Sequence, residues 1–173
     1  MDKVKMSGKV LVVDDTASNV DLLTSALKRH GYTTYGADSG ELGLLMAQDK
    51  LPDVILLDIN MPGISGYETC QQLKSIERTA DIPVIFISAM DQLVDIVKGF
   101  DAGGVDYITK PFQFREVLAR VQTQVTLHQN KRQLEQLYER ERQQFARLDE
   151  MRTQFISSAT HDLKNPIFLI SGY

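Results

Sequence analysis

The stretch KVLVVDD at residues 9–15 decides the fold, because an apolar, β-branched run ends abruptly at two aspartates. A run without apolar–polar alternation is typical of a strand buried on both faces of a sheet. Apolar residues then recur at helical spacing from Val20 to Leu27, and His30-Gly31 is typical of a helix C-terminal cap. The stretch therefore predicts one strand and helix of a parallel sheet.

The same alternation continues along the chain. Further strands are predicted at 33–37, 53–57, 83–87 and 105–108, and further helices at 39–50, 65–77, 90–101 and from about 113. Five strand–helix units in this order favour an α/β fold, with a parallel sheet covered by helices on both faces. Ligands of such sheets bind beyond the carboxyl ends of the strands.

Length and composition limit the class of protein. A chain of 173 residues has room for one ordinary domain and a remainder. Nineteen Lys and Arg against 23 Asp and Glu give a net charge of −4, which disfavours nucleic acid and anionic lipid as partners. Cys70 is the only cysteine, so an internal disulfide is excluded. No apolar run approaches the roughly 20 residues of a membrane span, and we expect a cytoplasmic protein.

Glycine and proline are distributed unevenly. Ten of the 11 glycines lie at or before Gly104, four of the 5 prolines lie at or before Pro111, and residues 113–165 contain neither. Because these residues punctuate turns, we predict a compact domain followed by one long helix.

Polar side chains follow four of the five predicted strands. They are Asp14 and Asp15 after the first strand, Asp58 and Asn60 after the third, Ser88 after the fourth and Lys110 after the fifth. Clustered carboxylates repel one another unless a cation or protons neutralise them. Mg²⁺ prefers oxygen ligands and sites shared with a phosphoryl group, and lysine and hydroxyl groups can bind phosphoryl oxygens. Taken singly, each residue could cap a helix or lie in a loop; together they indicate phosphoryl transfer to an aspartate.

Four segments resemble the receiver domain of two-component response regulators. They are VVDD at 12–15, LDINMPGISG at 57–66, ISA at 87–89 and YITKPF at 107–112. The resemblance covers about residues 8–125 and implies a flavodoxin-like, doubly wound, five-stranded parallel sheet in the order 2-1-3-4-5. It also implies that Asp58 is the phosphoacceptor, and that Asp15, Asp58 and the Asn60 carbonyl bind Mg²⁺, with Asp14 acting largely through water.

The resemblance assigns roles to the remaining residues of the edge. Lys110 and Ser88 would contact the phosphoryl group, and the Lys110-Pro111 peptide bond would be cis. Tyr107 would form a switch with Ser88, turning inward as Ser88 moves toward the phosphoryl oxygens; without the motif, Tyr107 would be interpreted as a half-buried strand residue. The implied phosphodonor is a histidine kinase or a phosphotransfer protein.

The long helix changes character along its length. It begins with a core-facing stripe, formed by Val117, Leu118, Val121 and Val125. A row spaced at multiples of seven residues follows, formed by Leu127, Leu134, Leu148 and Phe155. Leu137 and Met151 lie on an adjacent row, and Glu141 and Gln144 interrupt the two rows. Such a repeat indicates a coiled-coil seam, and we expect a parallel homodimer through residues 126–155. A solvated charged helix is the alternative, but an isolated helix is only marginally stable.

The segment FISSATHDLKNPI at 155–167 resembles the H-box of the dimerisation and phosphotransfer domain of sensor histidine kinases. The resemblance implies that His161 is a phosphoacceptor, that Asp162 is its general base and that a downstream response regulator accepts the phosphoryl group. We divide the chain into a receiver at 1–125, a coil at 126–155 and the start of this domain at 156–173. No ATP-binding domain follows in the printed sequence, and we expect a fragment of a histidine kinase.

A second interpretation stays open. The chain could be a stand-alone response regulator that uses its C-terminal helix only to dimerise or to bind a partner. A DNA-binding output is disfavoured, because no helix-turn-helix pattern follows the receiver segment.

Overall fold

The computed structural model describes residues 7–89 and 93–170, with side chains up to Lys164. Strands and helices alternate throughout these ranges. Their order is β1 (Lys9–Val13), α1 (Ala17–Arg29), β2 (Thr33–Ala37), α2 (Gly40–Lys50), β3 (Val54–Asp58), α3 (Gly66–Ser75), β4 (Val84–Ser88), α4 (Leu93–Asp101), β5 (Asp106–Thr109) and α5 (Phe114–Ile170). The first three residues of the predicted helix 90–101 lie outside the described residues.

The five strands form one parallel sheet in the order β2-β1-β3-β4-β5. The predicted flavodoxin-like order is therefore confirmed. Because every strand runs the same way, the carboxyl ends of β1, β3, β4 and β5 lie along one edge.

Two apolar clusters cover the two faces of the sheet. Leu11 and Val13 of β1 belong to one cluster, while Val10 and Val12 belong to the other. All five residues of β3 and all five of β4 are buried, which explains why these strands lack apolar–polar alternation. In the α5 stripe, Val117, Val121 and Val125 are buried in the second cluster, as their spacing predicted, and Leu118 packs against it while partly buried.

The strand ends differ from the predictions in a way that concerns the site. β3 extends to Asp58 and β4 extends to Ser88, one residue beyond the predicted ends, because Asp58 pairs with Ile87 and Ser88 pairs with Thr109. Both side chains are therefore held by the sheet and not by the following loops.

Two helix ends show how local contacts set the boundaries. α3 ends at Ser75, two residues before its predicted end, because Ile76 is extended and the Thr79 hydroxyl donates to the Leu73 carbonyl at 2.7 Å. Gly31 follows α1 with φ +96°, a conformation that glycine adopts without strain. The predicted end of α1 is thus confirmed.

The chain divides into two compact units, Met1–Asn130 and Lys131–Tyr173. The described side chains of the second unit are almost all exposed. The boundaries after residues 125 and 155 concern function and stay predictions.

Among the described residues, no helix combines the length and apolarity needed to cross a membrane.

Cys70 on α3 is completely buried, and burial raises the pKa of its thiol to about 11.

Candidate functional site

Three carboxylates meet at the carboxyl edge of the sheet. Asp14, Asp15 and Asp58 each place an oxygen within 4.8 Å of the other two. β1 and β3 are paired neighbours in the sheet, and this pairing brings the acidic residues together. Asp14 and Asp58 are buried, whereas Asp15 is exposed, so the cluster opens to solvent on one side.

Lys110 joins the cluster from the end of β5. Its Nζ lies 3.1 Å from Asp14 Oδ2 and 3.5 Å from Asp58 Oδ1, and its backbone N–H donates to the Ser88 carbonyl at 2.8 Å. The Lys110-Pro111 peptide bond is cis, as the resemblance implied. Burial lowers the pKa of Lys110, but the hydrogen bond to Asp14 and the charges of Asp58 and Asp14 outweigh it and raise the pKa overall. The ammonium group therefore stays charged beside the carboxylates.

The electrostatics of the cluster favour a bound cation. Burial raises the pKa of Asp58 to about 6; Lys110 opposes this shift, and the charges of Asp14 and Asp15 add to it. A hard divalent cation would offset that cost, and the available donors are oxygens with water access at Asp15. The residues present fit Mg²⁺.

Asp14 is already engaged by protein donors. Its Oδ1 accepts from the Thr16 backbone N–H at 2.9 Å, and its Oδ2 accepts from the Asn19 amide at 3.1 Å as well as from Lys110. Direct coordination of a metal by Asp14 would compete with these bonds, and the expected contact through water stays a prediction. Asn19 was not predicted, because the sequence carries no signal for a side chain that reaches back from α1.

Ser88 and Tyr107 are brought together beside the carboxylates. Ser88 is completely buried at the end of β4, and a side-chain hydrogen bond connects it with Tyr107 on β5. Burial raises the pKa of the partly buried Tyr107 to about 12, with this hydrogen bond opposing the shift. The switch role of the pair stays a prediction.

The loop after Asp58 has a tightly defined shape. The exposed Asn60 lies in this loop, and Gly63 has φ +81°. The Gly66 N–H donates to the Ile59 carbonyl at 2.8 Å, and a capping box formed by Ser65 and Glu68 begins α3. These bonds set where the Asn60 carbonyl lies relative to the sheet edge.

His161 and Asp162 lie on α5 in the second unit. Both side chains are exposed, His161 by 75%, and His161 Nδ1 lies 3.6 Å from Asp162 Oδ1. This separation is too long for a hydrogen bond. The histidine is accessible to a partner, and its role stays a prediction.

Two further residues with structural roles were not predicted. The Tyr67 hydroxyl donates to the Asp95 backbone carbonyl on α4 at 2.9 Å. Lys74 Nζ donates to the carbonyls of Ala80 and Ile82 at 3.0 and 2.6 Å. All three acceptors are backbone carbonyls, which leave no mark in a residue pattern. The acceptor of Tyr67 is 28 residues away in sequence, and those of Lys74 are 6 and 8 residues away.

Comparison with known proteins agrees with the geometry. The family model of the response regulator receiver domain matches residues 10–122. The DNA-binding dual master transcriptional regulator RpaA of Synechocystis sp. is 42% identical over 113 residues, which cover 65% of this chain and 47% of RpaA. The chain thus spans about half the length of that relative.

Solved structures show the same similarity. A response regulator from Chloroflexus aurantiacus superposes with a TM-score of 0.66 at 31% identity, covering 70% of this chain and 99% of that one. The signal receiver domain of a signal transduction histidine kinase from Syntrophus aciditrophicus superposes with a TM-score of 0.64 at 28% identity, covering 69% of this chain and 90% of that one. With the sheet order and the family match, these findings show that the chain belongs to the response regulator receiver domain family of two-component signalling.

Proposed function

We propose that Asp58 accepts a phosphoryl group from a phosphohistidine of a partner kinase or phosphotransfer protein. The observation that carries the proposal is the placement of Asp58 at the end of β3, in a cluster with Asp14, Asp15 and Lys110. In the transfer, the donor N–P bond breaks, an Asp58 O–P bond forms and the donor imidazole takes up a proton. Such a reaction needs positioning and charge neutralisation above all.

Each neighbouring residue has a defined task. Lys110 Nζ, already 3.5 Å from Asp58 Oδ1, would attract a phosphoryl oxygen, and the Ser88 hydroxyl would donate to another. Asp15, Asp58 and the Asn60 carbonyl would hold Mg²⁺, with Asp14 acting through water. The bound ion would neutralise charge on the carboxylates and on the phosphoryl group.

The test is incorporation of phosphate from acetyl phosphate, followed on a phosphate-affinity gel with Mg²⁺ or with EDTA. Asp58→Asn should abolish incorporation. Asp38→Asn is the matched control, because Asp38 follows β2 at the same sheet edge but lies outside the acidic cluster. Unchanged labelling of Asp58→Asn, or labelling in EDTA equal to that with Mg²⁺, would contradict the proposal.

We propose further that phosphorylation of Asp58 acts through a dimeric coil on a histidine kinase module whose phosphoacceptor is His161. Three observations support this: the seam residues are exposed on α5, the His161 imidazole is accessible, and one similar solved structure is the receiver of a histidine kinase. A downstream response regulator would then accept the phosphoryl group from His161.

This second proposal is tested in the protein encoded by the complete reading frame. With labelled ATP, His161→Gln should remove the alkali-stable label of a phosphohistidine, and His30→Gln, an exposed histidine on the receiver, should retain it. Asp58→Asn should change the rate of labelling when a phosphodonor is present. A reading frame without an ATP-binding domain would favour the stand-alone regulator that uses α5 only for dimerisation or partner binding.

RpaA is described as DNA-binding, but two observations disfavour a DNA-binding surface within the described part of this chain. The net charge of the chain is −4, and α5 runs from Phe114 to Ile170 as one helix. A helix-turn-helix module needs two helices separated by a short turn.

A further inference from the structure

Helix α4 is attached to the receiver by few buried side chains. Among its residues only Gly99 is buried, and Leu93, Val94, Val97 and Phe100 are between 47% and 75% exposed. Because buried apolar area supplies most of the free energy that holds a surface helix in place, the remaining contacts of α4 carry unusual weight.

Gly99 and Asp95 of α4 make their contacts with a row of three aromatic rings. Tyr67 of α3 and Phe86 of β4 have ring centroids 5.5 Å apart, and Phe86 and Tyr107 of β5 have centroids 6.4 Å apart. α4 lies against this row at Gly99, where a Cβ atom would approach Phe86 Cδ2 to 3.0 Å and Tyr107 Cδ2 to 3.4 Å. The absence of a side chain at Gly99 thus permits the close approach.

Tyr67 adds a polar bond to this apolar contact. Its hydroxyl donates to the Asp95 carbonyl at 2.9 Å, in the first turn of the described part of α4. Tyr67 also directly follows Gly66, whose backbone packs against the Asp58 and Ile59 backbone too closely to admit a Cβ atom. One residue therefore connects the loop that follows Asp58 with α4.

We propose that Tyr67 is a positioning residue that couples the loop after Asp58 to helix α4, in addition to the Ser88–Tyr107 pair. The ring of Tyr67 sets the position of α4 through Phe86, and the hydroxyl fixes α4 along its axis. The coupling role rests on the proposed phosphorylation of Asp58, whereas the contact itself does not.

The first measurement is amide hydrogen exchange of the whole chain without phosphodonor. Tyr67→Phe removes one hydroxyl and retains the ring, so amides of residues 94–101 should exchange about 2- to 10-fold faster, the effect of one hydrogen bond. Tyr35→Phe, a partly buried tyrosine on β2, is the matched control and should leave α4 unchanged. Unchanged α4 exchange in Tyr67→Phe overturns the proposal, and so does equal acceleration in β1 and β3.

The second measurement uses beryllofluoride with Mg²⁺ as a phosphoryl mimic, followed by NMR. Tyr67→Phe should bind the mimic at Asp58, with at least a twofold smaller change in the α4 amide signals than the wild type shows. Equal changes in both proteins would overturn the coupling role. If the wild type itself does not bind beryllofluoride, the phosphoacceptor proposal fails instead, and the exchange experiment still decides whether Tyr67 holds α4.

Discussion

At the scale of single residues, the buried Asp58 carboxyl links the site to stability. Burial raises its pKa from 3.8 to about 6, so between these values the folded protein holds a proton that the unfolded chain has released. Stability therefore falls as pH rises through this window. The carboxylate is a source of instability at neutral pH whenever no cation is bound.

We accordingly expect Asp58→Asn to stabilise the metal-free protein at pH 7.5. A difference of two pKa units corresponds to about 3 kcal/mol, which is the upper limit of the gain, and the gain should shrink toward zero near pH 4. Urea unfolding in EDTA at both pH values measures it. Asp38→Asn should change little, and a gain independent of pH would contradict the role of burial.

The hydrogen bonds of Lys74 lead to a second prediction at the scale of single residues. Its ammonium group donates to two backbone carbonyls in the connection between α3 and β4. Lys74→Met retains the aliphatic stem but leaves these carbonyls without that donor, so we expect a loss of about 1 to 3 kcal/mol in the free energy of unfolding. Lys98→Met, at an exposed position of α4, serves as the control in urea unfolding and should be nearly neutral.

At the scale of elements, the junction of β3 and α3 tolerates no added atom. A Cβ atom at Gly66 would overlap the Asp58 carbonyl oxygen and lie 2.7 Å from Ile59 Cα. Because backbone cannot yield as a side chain can, Gly66→Ala should destabilise the protein by at least about 1 to 3 kcal/mol and weaken beryllofluoride binding at Asp58.

Gly36→Ala gives the comparison for that variant. The nearest atoms to a Cβ atom at Gly36 would belong to the side chains of Val20 and Thr24, which can rotate or shift. Thermal or urea unfolding should therefore show a smaller loss for Gly36→Ala than for Gly66→Ala. The reverse order would contradict the claim that the β3–α3 junction is the tighter contact.

Some features of the strands and helices could be predicted from the sequence, and others could not. Nearly uninterrupted apolar runs revealed β1, β3 and β4, because strands covered on both faces demand them, and the residues after these runs then pointed to the acidic edge. Strand ends were missed by one residue at Asp58 and Ser88, since pairing with a neighbouring strand sets them. The bond from Tyr67 to α4 could not be predicted, because its acceptor is a backbone carbonyl that only the tertiary structure brings within reach.

At the scale of the whole molecule, the exposed apolar rows of α5 predict association. Leu134, Leu148 and Phe155 are between 52% and 75% exposed in the single chain, and a helix with such a row gains stability by pairing. We expect a dimer at micromolar concentration in sedimentation equilibrium, as predicted from the heptad spacing.

The variant that tests this association is the double change Leu134→Asp and Leu148→Asp, which should give a monomer with an intact receiver. Gln133→Asp places one such charge beside the row and should stay dimeric. A wild-type monomer would exclude the seam, and a dimer that survives the double change would locate the contact elsewhere. A seam residue can be predicted from its spacing in the sequence, but whether it is buried cannot, because burial depends on the partner helix.

The state of Cys70 has a practical consequence. A completely buried thiol with a pKa of about 11 forms almost no thiolate at neutral pH, and the thiolate is the species that reacts with alkylating reagents. New cysteines placed at exposed positions such as Val94 or Gln133 can therefore carry a fluorophore or spin label while the native cysteine stays in place. Movements of α4 and contacts between two copies of α5 thus become measurable by spectroscopy in an otherwise unaltered sequence.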